Sequence, residues 1–123
     1  MMRSTLLALC VATTLFTAAR AETATDVEER YSAIVGMPAY AAWSKCVSER
    51  ALELSKFLEV EASARIAFGR CKIPELKLRA ALEEKYLLVT VKTIMEDHRE
   101  AMLAFSVNEI LVARVMGEAP AGQ

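Results

Sequence analysis

The sequence predicts an all-α fold: a small helical bundle in which a disulfide-clamped αα-hairpin packs on a long C-terminal helix or helix pair. Three observations predict it. Apolar residues recur at helical spacing through most of the chain. Cys46 and Cys71 fall on the apolar stripes of successive segments. Residues 75–116 contain neither glycine nor proline.

The chain of 123 residues opens with the signs of a secretory leader. Arg3 precedes an uncharged run over residues 4–19, and Ala19-Arg20-Ala21 places small residues at the two positions a signal peptidase reads. The run is shorter than the ~20 residues a helix needs to span a bilayer. Residues 1–21 therefore read as a cleavable signal peptide, and the remainder as a periplasmic or secreted protein. Of 15 basic residues Arg3 and Arg20 leave with the leader, so 13 remain against 16 acidic ones, a net charge of −3. That balance argues against nucleic acid or an anionic membrane as partner, since both select a basic face. No later uncharged run approaches spanning length, so no membrane insertion is expected after cleavage. Residues 22–117 read as one helical domain and 118–123, EAPAGQ, as a disordered tail.

Within the domain each helix has local reasons. A first helix is expected over 26–35. Thr25 with Glu28 forms a capping-box pattern, and Val27, Tyr31, Ile34 and Val35 share one side. Gly36 and Pro38 end it, and Pro38 suits the first position of the next helix. The hairpin arms are expected at about 38–57 and 60–72. Tyr40, Trp43, Cys46, Val47, Leu54, Phe57 and Leu58 form the stripe of the first arm, with Arg50 among them. Val60, Ala64, Ala67, Phe68 and Cys71 form that of the second.

The cysteines decide that these arms are two. On one straight helix, Cys46 and Cys71 would stand roughly 37 Å apart at 1.5 Å per residue, whereas a disulfide needs Cα atoms within about 7 Å. Export leaves these two cysteines after Cys10 is removed, and an even count in an oxidising compartment reads as a bridge. The chain then reverses near Leu58-Glu59, although no glycine, proline or good capping residue marks the place. Trp43 falls near Ile73 and Pro74 in that register.

Pro74-Glu75 reads as a fresh start, and 75–116 as one long helix or a pair. Ser106 and Glu109 form a second capping-box pattern, which favours a break near 105–107. The strand-forming composition of 86–91, YLLVTV, lacks a partner strand and is read as helix. Gly117 is the expected stop.

Chemistry is sparsely marked. The cysteine spacing is not Cys-x-x-Cys, so neither a redox pair nor a haem attachment is expected. One histidine and two cysteines do not make a zinc site. Glu83-Glu84 and Glu96-Asp97 are consecutive and diverge on a helix. No catalytic residue, metal or cofactor is therefore expected. Two surfaces remain. His98, Met102 and Phe105 form a candidate ligand-facing set, the pattern of a bundle that binds a small ligand. Val107, Leu111 and Val115 form a candidate interaction face, because apolar residues lie on more than one side of the last helix. The functional expectation is a non-enzymatic protein-binding or structural module of the cell envelope, its partner a second copy of the chain or an envelope protein. The ligand binder on the His98 face is the alternative.

Overall fold

Five helices run through residues 23–118, the residues described by the computed structural model, and no strand occurs among them. They are α1 (Ala24–Val35), α2 (Pro38–Leu54), α3 (Val60–Arg70), α4 (Lys72–Glu83) and α5 (Leu88–Glu118). The chain divides into two units between Ser32 and Ala33. The leader expected over 1–21 lies outside the described residues. So does the expected tail, apart from Glu118, whose backbone ends α5.

In the first unit α1 is capped two residues earlier than its sequence suggests. The Asp26 amide donates to Thr23 Oγ1 and the Thr23 amide to Asp26 Oδ2, both at 3.2 Å. This reciprocal pair closes the helix start with Asp26 in place of the usual Glu, and Thr25 lies inside the helix. The expected start at 26 is corrected to Ala24.

The second unit is the bundle. Pro38 stands at the start of α2, and α2 packs most extensively on α3 while also meeting α4 and α5. Cys46 and Cys71 lie at bonding distance, with Cα atoms 5.9 Å apart, so the hairpin and its expected clamp are both present. The arms are shorter than expected, 38–54 and 60–70. The turn between them expels Phe57, which is 82% exposed rather than part of the stripe, and Ala51 fills the inward position. Ser63, Ala64 and Ala67 are the buried residues of α3, all small, which lets neighbouring helices approach closely. Trp43 is fully buried and packs on Phe68, with ring centroids 6.0 Å apart. Ile73, its expected neighbour, is exposed. Cys71 leaves the helical conformation (φ −105°, ψ 31°) and redirects the chain, so residues beyond it do not continue the line of α3. Pro74 lies inside the first turn of α4 rather than opening it.

The C-terminal segment is a helix pair, broken at residues 84–87 and not at 105–107. The reason is the phase of the buried residues. Leu78 and Leu82 face the core from α4, and Val91, Ile94 and Met95 face it from α5. Nine residues separate Leu82 from Val91, about two and a half turns at 3.6 residues per turn, so on one straight helix they would point in opposite directions. A reversal puts both inside. The turn closes through bonds from the Lys85 and Tyr86 amides to the Leu82 carbonyl, at 3.0 and 2.9 Å. Beyond it, His98, Met102, Ser106 and Ile110 keep one phase and all are buried, so α5 has no cause to break at Ser106. Glu109 accepts a hydrogen bond from Ser48 of α2 instead of capping a helix. The helix also passes through Gly117.

The α2–α3 turn, which has no local breaker, is held from a distance. Arg114 Nη2 on α5 donates to the carbonyls of Ser55 and Leu58, both at 3.0 Å. A cation here satisfies carbonyls left over at the end of α2 and meets the negative end of its dipole. Arg114→Ala is expected to lower stability by about 1 kcal/mol, the scale of an exposed charge-assisted contact. Arg114→Lys should recover part of that, since an ammonium lacks the planar fork. Urea unfolding of the three proteins measures both; coincident transitions would mean that the turn holds without this contact.

Candidate functional site

All three surfaces with chemical content are built on α5. Its inner side enters the core, one flank opens on a cleft toward α3 and α4, and its outer side is exposed.

On the inner side, His98 is buried and its ring meets the edge of Tyr40 at 5.2 Å. Tyr40 in turn meets Trp43 at 5.6 Å, and Trp43 meets Phe68. Met102 is buried one turn beyond His98. Phe105 does not join them. It is 52% exposed, because three residues beyond Met102 the helix has rotated it outward. The expected ligand-facing set is thus split, with His98 and Met102 inside and Phe105 outside. Trp43 Nε1 and Ser106 Oγ are buried with no hydrogen-bond partner among the described residues.

On the flank, a cleft of about 450 Å³ opens between the end of α3, the start of α4 and the middle of α5. Phe68 and Leu103 give it apolar walls, and Arg65, Lys72 and Arg99 bring cations to it. Glu75 lies at its base with only 5% of its side chain exposed. Its carboxylate accepts hydrogen bonds from Arg99 on α5 and from Lys72 Nζ at 3.2 Å. Arg65 is engaged by Glu61 at 2.8 Å. The chemistry of the Glu75 carboxylate is to tie α4 to α5. His98 does not line the cleft. The sequence signal for Glu75 is its phase: it lies at i, i+3 and i+7 with Leu78 and Leu82, and so faces inward with them.

The outer side behaves differently. Leu111 and Val115 of the expected interaction face are exposed, and Val107 is half-buried. Val112 and Met116 join the exposed pair, at 52% and 69%. Every exposed residue over 101–116 is uncharged except Arg114, whose guanidinium is engaged by the α2–α3 turn. The half-buried Glu109 is engaged by Ser48. Sequence periodicity attaches the face to Val107; Val112 and Met116 become visible only once the inward phase is fixed by Ser106 and Ile110.

Among the described residues no helix is long and apolar enough to cross a membrane, and no group of three or more His, Cys, Asp or Glu side chains could hold a metal ion. Compared with protein-family models, curated proteins and solved structures, the chain matches none.

The tie at Glu75 has an asymmetric energetic signature. Arg99→Met leaves a buried carboxylate on Lys72 alone and should cost about 1–3 kcal/mol. Adding Glu75→Met removes the stranded charge and should bring stability back toward the parent, because apolar replacement of both members of a buried pair is often neutral or better. Denaturant unfolding of the single and double variants reads the difference. A double variant weaker than the single one would refute the assignment of Arg99 as the charge that makes Glu75 tolerable inside.

Proposed function

We propose that this chain is an exported, non-enzymatic binding module of the cell envelope that makes its contacts through the outer side of α5. The observation that carries the reading is the charge-free exposed strip over residues 101–116, with Leu111, Val112, Val115 and Met116 turned outward. The largest apolar patch on a soluble monomer is often a functional one. Other apolar side chains are exposed, Leu87, Leu88 and Val89 about the α4–α5 turn among them, but on α5 the exposed apolar residues run along one side of a helix over residues 101–116.

Export is supported by the leader-like pattern of residues 1–21 and by the Cys46–Cys71 pair, which an oxidising compartment keeps joined. Contact rather than catalysis is supported by the position of the polar groups. Glu75 and its cations are spent on one another, and His98 packs among core residues.

The test is a photoreactive residue placed at Leu111 or Val115 in cells that produce the full chain, with Lys77 on α4 as the exposed control. The expected result is one discrete adduct from both α5 positions, its protein partner identified by mass spectrometry, and none from position 77. The same spectra should show a chain that begins at Glu22 and lacks the two thiol hydrogens. Equal labelling at all three positions, or none on α5, would overturn the reading.

A further inference from the structure

Resting on the reading of α5 as a binding face, we infer that its partner is a second copy of this chain, docked antiparallel on the same strip with Asn108 on the two-fold axis. The first ground is spacing. Ala101, Ala104, Asn108, Leu111 and Val115 alternate by three and four residues, the seam of a two-helix contact, and all five are exposed. A helix with such a seam on its solvent side has a second packing surface beyond the one the bundle covers.

The second ground is volume. About Asn108 the strip is uneven: Ala101 and Ala104 are small on its N-terminal side, where Phe105 is the large exception, and Leu111, Val112, Val115 and Met116 are large on its C-terminal side. In an antiparallel pair, residues equally distant from Asn108 face each other. Val115 then meets Ala101 and Val112 meets Ala104, so bulk is set against space in these pairs, while Leu111 meets Phe105 nearer the axis. A parallel pair sets Ala101 and Ala104 on themselves and Phe105 on itself, which leaves a gap at one end and crowding in the middle. Interdigitation of large with small gives close packing without voids. Antiparallel helices also set their dipoles in opposition, which is the favourable sense.

The third ground is polarity. The single amide of the seam lies at its midpoint. A carboxamide both donates and accepts, so two Asn108 side chains related by a dyad satisfy each other, and a register slip buries each against an apolar residue. Between Glu100 and Met116 the strip offers no free charge by which to select a charged partner, and none to repel its own copy. A two-fold contact uses one patch twice, which this arrangement about Asn108 allows.

The contact is small. The strip is about 24 Å long at 1.5 Å per residue and one helix, about 10 Å, wide. That places the dimer below the ~1,200 Å² of standard stable interfaces, in the weak and reversible class.

Sedimentation of the oxidised, leader-free protein from about 5 µM to about 1 mM should show the mass rise from one chain toward two. Orientation is read by cysteine pairing under mild oxidation, which joins positions whose Cα atoms come within about 7 Å. Asn108→Cys should link to itself, and Leu111→Cys should link to Phe105→Cys in a mixture faster than to itself. A wild-type chain that stays monomeric at the highest concentration overturns the proposal, as does Leu111→Cys linking to itself faster than to Phe105→Cys. If that monomer still forms α5 adducts with a different identified protein, self-association fails while the binding-module reading stands.

Discussion

The bundle depends on the covalent tie between Cys46 and Cys71. Nothing in residues 55–59 compels the chain to turn: there is no glycine, no proline and no side-chain cap on α3. A helix that continued through this segment would carry Trp43 and Phe68 far apart and leave both stripes without a partner. The bridge closes a loop of about 26 residues, worth roughly 3.5 kcal/mol by the chain-entropy relation. Against a net stability of about 5–15 kcal/mol for a domain of this size, that is a large share. Arg114 finishes what the bridge begins, by binding the carbonyls that the turn exposes. Helices α4 and α5 pack on the platform so formed, with α5 meeting α2, α3 and α4.

This platform is legible in the sequence because its signals are local and redundant. The stripes of α2 and α3 each contain their cysteine, and compartment chemistry supplies the pairing. The C-terminal half is less legible, for an identifiable reason. The inward stripe of α5 passes through His98 and Ser106, two polar residues, while the outward side carries Phe105, Leu111 and Val115. Hydrophobicity alone therefore points the helix the wrong way after Met102 and suggests a break where there is none. The break at residues 84–87 is legible in the half-turn phase shift between Leu82 and Val91, a signal carried by spacing rather than by any breaker residue. The clamp by Arg114 left no trace of its role in the sequence, since it joins residues 56 and 59 positions apart.

Polar groups inside the bundle follow a similar division. Glu75 is buried while its two cations are part-exposed, and its pairing with Arg99 adds an ionic tie to the packing of α4 on α5. Trp43 Nε1 and Ser106 Oγ are buried without partners among the described residues, a cost that the packing around them offsets. Phe68 belongs both to the ring stack around Trp43 and to the wall of the cleft, so core and flank share a side chain. The outer strip of α5 shares none of these ties. It can change its neighbours without disturbing the fold, which is what a reversible contact surface requires.

Denaturant unfolding of the same protein with its cysteines oxidised and reduced weighs the bridge against everything else. The oxidised form should be more stable by about 3.5 kcal/mol, with both sulfurs inert to a thiol reagent until reductant is added. Coincident unfolding of the two forms, or two freely reactive thiols in the untreated native protein, would contradict it.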